Sequence, residues 1–384
     1  MLYRKYGNTD LMISQLGMGC MRLPLIGGDQ SAIDAEQATE MFDYAIDNGI
    51  NYFDTAYFYH KGNSELFVGD YLKKKGNRKD IILTTKLPPA VAEKDGAEAT
   101  MLNQLKKLQT DYLDFYIFHQ INSKTWPIIK KLDLIPFMEE QKKKGIIRNI
   151  GFSFHDSTEL LKEVLDAYDW DMCQIQYNFM DTEYQAGTEG LEYAGKKGVP
   201  VFIMEPMKGG SLTNVPRKEM DAIFNECGMD KTSLPDVALR FVWNRPEVTC
   251  VLSGMSNMQQ LKENIATAKD AEVGAFTQQQ AMLVEKLKEF YRSRIKADCT
   301  ACQYCVKECP LELDIPGVFN YYNRGSIYGM WNDVGPKYIR KYEADGSKYN
   351  EKCLDCGACE AICPQQIQIR KIFQEGCETL RVKR

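Results

Sequence analysis

Eight of the thirteen cysteines fall in two short runs near the C-terminal end of the chain, and both runs have the same spacing. The first reads Cys299-x2-Cys302-x2-Cys305-x3-Cys309-Pro310 and the second Cys353-x2-Cys356-x2-Cys359-x3-Cys363-Pro364. Three cysteines this close let one tight loop wrap three corners of a cubane. The fourth is carried away by the turn that follows and is free to meet a second cluster. This is the spacing of bacterial iron–sulfur ligation, and soft thiolates suit such clusters. Thiolates also suit zinc, the competing reading. Zinc sites, however, take four ligands, usually as two separated pairs, and neither run is built that way. The spacing therefore predicts two [4Fe–4S] clusters, with these eight cysteines as candidate ligands. Cys20, Cys173, Cys227, Cys250 and Cys377 are scattered through the rest of the chain.

A net charge of -5 gives no reason to expect nucleic acid or an anionic membrane surface, which attract concentrated Lys and Arg. No apolar run approaches the roughly 20 residues that span a bilayer. The opening residues MLYRKYGNTD hold no apolar signal segment. The expectation is a cytoplasmic protein, in whose reducing surroundings structural disulfides are rare.

From residue 10 to about 270 the chain alternates apolar, β-prone runs with longer helical stretches. The expected strands are Ile13–Gly19, Tyr52–Thr55, Ile81–Lys86, Leu113–His119, Asn149–Ser153, Met172–Tyr177, Val201–Glu205 and Thr249–Ser253. Expected helices between them include Ala35–Asn48, Leu102–Gln109, Ile128–Lys144, Thr158–Asp166 and Leu191–Lys197. Such alternation implies parallel strands with crossover helices, and eight repeats fit a (β/α)8 TIM barrel of about 250 residues. An open doubly wound sheet fits less well, because no GxGxxG turn follows the first strand. The expected division is a barrel over 1–275, a helical connector over 276–296 that includes Gln278–Ile295, and a mostly helical cysteine-bearing domain over 297–384.

Active sites of such barrels lie at the C-terminal ends of the strands. There the sequence places Asp54, Lys86 and His119 at the ends of the second, third and fourth strands, with Tyr59 just beyond the second. Any one of these has a plain structural reading; together, at successive strand ends, they form a constellation.

The segments Gly49-Ile50-Asn51-Tyr52-Phe53-Asp54-Thr55-Ala56, Thr84-Thr85-Lys86, Asp111-Tyr112-Leu113-Asp114, Gly145-Ile146-Ile147-Arg148-Asn149-Ile150-Gly151-Phe152-Ser153, Gln174-x-x-Tyr177-Asn178 and Gln260-Leu261-x-Glu263-Asn264 resemble the aldo-keto reductase family, in that family's order. The resemblance implies a catalytic tetrad of Asp54, Tyr59, Lys86 and His119. Tyr59 would be the proton donor during hydride transfer to a carbonyl. A phenol has an ordinary pKa of about 10, and the Lys86 ammonium would lower it by favouring the phenolate. Asp54 would hold Lys86, and His119 would polarise the carbonyl oxygen. The resemblance also implies NADP or NAD as cofactor. Ser153 and Gln174 match positions that bond the carboxamide, and Gly254, Ser256, Gln260, Glu263 and Asn264 fall near the adenosine end. Cys20, Met21 and Arg22 lie at the end of the first strand and Glu205, Pro206 and Met207 at the end of the seventh, where they would face the cofactor. The seventh strand lacks the aromatic residue that stacks on nicotinamide in many relatives. The loop at 254–260 lacks the Lys or Arg that grips a 2′-phosphate, so NAD and NADP both stay open.

The cysteine module resembles two-cluster bacterial ferredoxins over about 85 residues, interrupted by a 43-residue insertion from Pro310 to Lys352. The resemblance implies one cluster on Cys299, Cys302, Cys305 and Cys363, and another on Cys353, Cys356, Cys359 and Cys309. Taken together, the expectation is an NAD(P)H-linked reductase of a small-molecule aldehyde or ketone. Its clusters would couple it to redox chemistry or anchor it. Two alternatives remain: a reductase fed through the clusters by a ferredoxin or flavoprotein partner without nicotinamide, and a non-catalytic binding protein.

Overall fold

The computed structural model describes residues 1–7 and 9–383. Ten strands are found among them: β1 (Tyr3–Lys5), β2 (Met12–Ser14), β3 (Leu16–Gly19), β4 (Tyr52–Asp54), β5 (Ile82–Leu87), β6 (Leu113–Ile121), β7 (Ile147–Phe154), β8 (Met172–Gln176), β9 (Val201–Met204) and β10 (Val248–Ser253). Strands β3 to β10 pair in parallel and in sequence order, and β10 closes onto β3 to complete an eight-stranded barrel. Helices join the strands on the outside, among them Ala35–Asp47, Ala97–Leu108, Thr158–Asp166 and Gly187–Lys196. The barrel is therefore the α/β fold that the alternation predicts.

Period-two alternation sorts each strand's side chains between two layers. One set fills the interior, where Tyr52, Ile82, Phe115, Ile117, Met172, Phe202, Cys250 and Leu252 form a buried cluster. Tyr52 packs on Phe202 at 4.8 Å between ring centroids. The other set, including Phe53, Leu83, Tyr116, Phe118, Ile175 and Val251, packs under the helices.

Two expected elements come out differently. The strand expected over Ile13–Gly19 is split. Met12–Ser14 turns back to pair antiparallel with Tyr3–Lys5, and the barrel strand proper begins at Leu16. Ser14 ends the first piece by donating through Oγ to the Leu16 carbonyl at 2.8 Å. The hairpin then adds Tyr6 to the interior cluster, edge-on to Phe115 at 5.2 Å. The helix expected over Ile128–Lys144 is two, Trp126–Lys131 and Leu134–Lys143, broken at Asp133 with φ of 49°. Pro136 accounts for the break. A proline lacks the N–H needed in a helix interior and is tolerated in the first turn, which is where the restart puts it.

The chain divides into two compact units. The first comprises Met1–Gly209 and Thr232–Thr277, and holds the barrel. The second comprises Gly210–Lys231 and the chain from Gln278 onward. The second unit thus includes the helix Gln278–Arg292 and an excursion from the loop after β9. Within it Tyr291 donates to the Leu212 carbonyl at 2.6 Å, and Arg294 pairs with Glu219 at 2.8 Å. Its core lies among the helices Ile315–Tyr328, Trp331–Tyr342 and Ile369–Val382, and includes Val318, Phe319, Tyr338, Phe373, Cys377 and Leu380. The insertion between the cysteine runs supplies much of this core. Among the described residues no helix is long and apolar enough to cross a membrane.

Candidate active site and iron–sulfur centres

In the first unit, β4, β5 and β6 are neighbours in the barrel and end at one rim. Their register sets Asp54 beside Thr84, and Lys86 beside Ile117. From this rim the Lys86 ammonium, 1% exposed, makes three contacts. Nζ donates to Asp54 Oδ1 at 2.6 Å, to the Thr55 carbonyl at 2.9 Å and to the Tyr59 hydroxyl at 3.1 Å. The His119 ring stands edge-on to Tyr59 at 6.1 Å. The four residues that the sequence singles out are thus brought together. Behind them, Gln104 Nε2 donates to the Lys86 carbonyl at 3.0 Å and to Thr85 Oγ1 at 3.2 Å, and Glu65 accepts from Thr85 at 2.7 Å. That buttress has no local signature in the sequence.

Burial dominates the protonation of this group. Desolvation pulls the Lys86 ammonium down, but Asp54 and Tyr59 together outweigh it and raise its pKa, so the amine stays charged. Burial pushes the Asp54 carboxyl up against the pull of Lys86. The Tyr59 phenol departs from the simple expectation. Lys86 does pull it down, but burial is the larger effect and leaves it above its ordinary value. Burial, with Lys86 and His155 adding to it, drives His119 down to about 3. At neutral pH the site therefore holds a protonated phenol, an ammonium and a neutral imidazole. Burial also raises the Cys20 thiol far above its usual range, so no reactive thiolate stands there.

The candidate cofactor residues lie at the ends of β3, β7, β8, β9 and β10. Ser153 is buried, and its Oγ accepts from the Gln120 N–H at 2.8 Å. Gln174 is buried with its Oε1 unpartnered. Gln176, two residues on and on the same face, is buried with its Nε2 unpartnered; it is not among the residues expected at the cofactor, although strand period alone pairs it with Gln174. Cys20 is buried beneath the short turn Cys20–Arg22, and Met21 and Arg22 are exposed. The Arg22 stem lies across Gly254, where an added Cβ would come within 3.0 Å of Arg22 Cδ, and Arg22 Nη2 lies as near to the Cβ position of Gly209. Glu205 is exposed at φ of 55°, and its carbonyl accepts from Asn178 Nδ2 at 3.3 Å; Pro206 is buried and Met207 half-buried. Beyond β10, Ser256 N and Oγ donate to Gln260 Oε1 at 2.9 and 3.2 Å. Glu263 is exposed and accepts from Gln259, while Asn264 is turned inward to donate to Ser253 Oγ at 2.9 Å. The Gln174 amide oxygen, buried in β8 without a donor, fits a carboxamide N–H, and in that respect the site suits a nicotinamide.

In the second unit two cavities open among the cysteine turns. One, of about 430 Å³, is lined by Cys353, Cys356 and Cys359 together with Cys309, and walled by Leu313, Ile315 and Phe373. The other, of about 330 Å³, is lined by Cys299, Cys302 and Cys305 together with Cys363, and walled by Pro316 and Phe319. Each cavity therefore meets three thiols from one run and the fourth from the other. Four sulfurs against apolar walls is a donor set that fits a cubane cluster.

Residues 15–289 match the model of the aldo/keto reductase family, and residues 298–367 that of a 4Fe-4S dicluster domain. The chain is 29% identical to an uncharacterized oxidoreductase, YqkF, of Bacillus subtilis, over 69% of this chain and 90% of that protein. It is 26% identical to the NADH-specific methylglyoxal reductase of Escherichia coli, over 68% of this chain and 91% of the relative. Among solved structures, the holo form of aldo-keto reductase AKR11C1 from Bacillus halodurans superposes with a TM-score of 0.60 at 28% identity, covering 74% of this chain and 96% of its own. On these grounds the chain carries two [4Fe–4S] clusters in its C-terminal region, and it is an oxidoreductase that belongs to the aldo/keto reductase family.

Proposed function

We propose that the protein reduces a small aldehyde or ketone with NADH, using Tyr59 as proton donor. The observation that carries this reading is the single Lys86 ammonium bonded to both Asp54 and the Tyr59 hydroxyl. A dinucleotide held along the ends of β7 to β10 would supply a hydride to the carbonyl carbon. Tyr59, protonated at neutral pH, gives its proton to the carbonyl oxygen. The phenolate left behind sits 3.1 Å from Lys86 Nζ, whose charge offsets it. Asp54 keeps that charge in place. Neutral His119 acts as a hydrogen-bond donor to the oxygen rather than as a second cation. Ser153 and Gln174 orient the carboxamide. At the adenosine end, Lys262 is drawn to the Tyr44 ring, 5.4 Å away, and Glu263 is exposed. A 2′-phosphate would meet an anion there, which favours NADH over NADPH. The eight cysteines hold the clusters in a crossed pairing, a reading supported by the lining of the two cavities, and the setting is the cytoplasm.

A second reading has electrons enter from a protein donor through the clusters, without nicotinamide. It is favoured by the end of β9, where Glu205, Pro206 and Met207 offer no ring to stack on a nicotinamide. Isotope transfer separates the two. Anaerobic holoprotein is given methylglyoxal as probe and NADH deuterated at C4 on one face or the other. The first reading expects deuterium on the new carbinol carbon from one of the two. Product bearing solvent hydrogen alone, or turnover with chemically reduced protein and no nucleotide, would establish the second.

A further inference from the structure

Immediately after Tyr59 the backbone enters the left-handed region three residues running, with φ of 52° at His60, 54° at Lys61 and 93° at Gly62. Gly62 adopts it freely; His60 and Lys61 each carry a Cβ that opposes it. Such residues persist where the surroundings over-determine them. Here the side-chain hydrogen bonds of His60 and Asn63 run to one stretch of chain, the segment 20–31 after β3, and Ser64 shares its hydroxyl between that segment and Thr55, 2.8 Å away. His60 is 4% exposed; its Nε2 accepts from the Leu23 N–H at 3.2 Å and its Nδ1 donates to the Gln30 carbonyl at 3.1 Å. Asn63 Nδ2 donates to the Ser31 carbonyl at 2.8 Å, and Ser64 Oγ to the Cys20 carbonyl at 3.1 Å. The ladder between β3 and β4 stops at Gly19 and Asp54. Beyond that point side chains take over the joining of the two loops. One loop carries Tyr59; the other carries Cys20, Met21 and Arg22.

We infer that His60 is a positioning residue which, with Asn63 and Ser64, clamps the Tyr59 turn to the Cys20–Arg22 turn, so that proton donor and cofactor wall are set as one piece. The inference rests on the reading of Tyr59 as proton donor. It requires a neutral imidazole, one nitrogen accepting from an N–H and the other donating to a carbonyl, and burial favours that form by lowering the pKa of His60.

The test uses the full-length holoprotein and two variants. His60→Gly removes both hydrogen bonds and also the backbone strain; His60→Ala removes the bonds and keeps the strain. In both, amide hydrogen exchange over residues 20–31 and 55–64 is expected to quicken by about tenfold or more while the other barrel strands keep their protection. With NADH and methylglyoxal, kcat is expected to fall about tenfold at nearly constant KM, the signature of a displaced reacting group. His60→Gly with wild-type exchange and wild-type kcat would overturn the clamp, as would exchange rising throughout the barrel. Quickened exchange over 20–31, in a protein whose turnover does not depend on Tyr59, would support the clamp and sink the Tyr59 reading. Unchanged exchange with Tyr59-dependent turnover would sink the clamp alone.

Discussion

The barrel and the cysteine-bearing unit prepare their chemistry in opposite ways. At the barrel rim the reactive groups are placed by other protein groups. Lys86 is fixed by three oxygens, and the strand beneath it is held by Gln104. In the second unit, eight thiols face two cavities, and Cys305 and Cys359 are the two of them that are buried. Around them run short turns and the one-turn helices Tyr304–Glu308 and Ala358–Ala361. The packed helices Ile315–Tyr328, Trp331–Tyr342 and Ile369–Val382 give the unit a core, and the two cysteine runs lie outside those helices. A thiolate site made of such short turns draws its cohesion from the metal it binds, whereas the barrel rim draws its own from protein hydrogen bonds.

The largest expected effect follows from that contrast. Where a metal site is not preformed, metal-binding free energy is folding free energy. Oxidative removal of iron with a chelator should abolish hydrogen-exchange protection at 298–314 and 351–367. The barrel strands and their fluorescence transition should be unchanged. Barrel protection lost in parallel would break the distinction.

Next in size is Lys86→Met. It leaves Asp54 buried and unpaired, which should cost about 3–5 kcal/mol in denaturant unfolding of the barrel. It should also lower kcat by about a thousandfold, since the phenolate loses its counter-charge. Adding Asp54→Asn should restore most of the stability and none of the rate. Recovery of rate in the double variant would mean that the ammonium is structural alone.

A smaller effect concerns acid. His119 titrates near 3 in the folded barrel, against an ordinary 6.5. Between those values the unfolded chain binds a proton that the folded one refuses, so stability falls as pH drops through this window. The loss should reach about 2 kcal/mol by pH 5. The slope should be shallower in His119→Asn, where, of the histidines, only His60 and His155, which burial also lowers, still contribute, and the same slope in both proteins would contradict the burial argument. The smallest effect is expected from Cys20→Ala. Its thiol is raised by burial, so the change should cost about 1 kcal/mol of packing and leave turnover within about twofold. A large loss of rate would give Cys20 a chemical part that its environment denies.

Much of this was legible in the sequence, for physical reasons. Strands buried on both faces read as unbroken apolar runs, so Phe115–Phe118 and Val201–Met204 stand out. Function at strand ends made Asp54, Lys86 and His119 visible, and thiol spacing announced the clusters. What escaped depends on contacts distant in sequence. Nothing near His60 signals Leu23 or Gln30, and nothing around Gly210–Lys231 marks its place in the second unit. The hairpin at Tyr3–Ser14 hides behind an apolar run that looks like one strand. The Tyr59 phenol was legible in its partner and not in its burial, and burial decides the direction of its shift.

Proton transfer to the carbonyl oxygen turns on one hydroxyl. Tyr59→Phe, assayed anaerobically with NADH and methylglyoxal, should lose about a thousandfold in kcat, the scale of a lost general acid. NADH affinity and the cluster EPR signals should match the wild type. Turnover within about tenfold of the wild type would show that the proton comes from elsewhere, and would contradict the account at its centre.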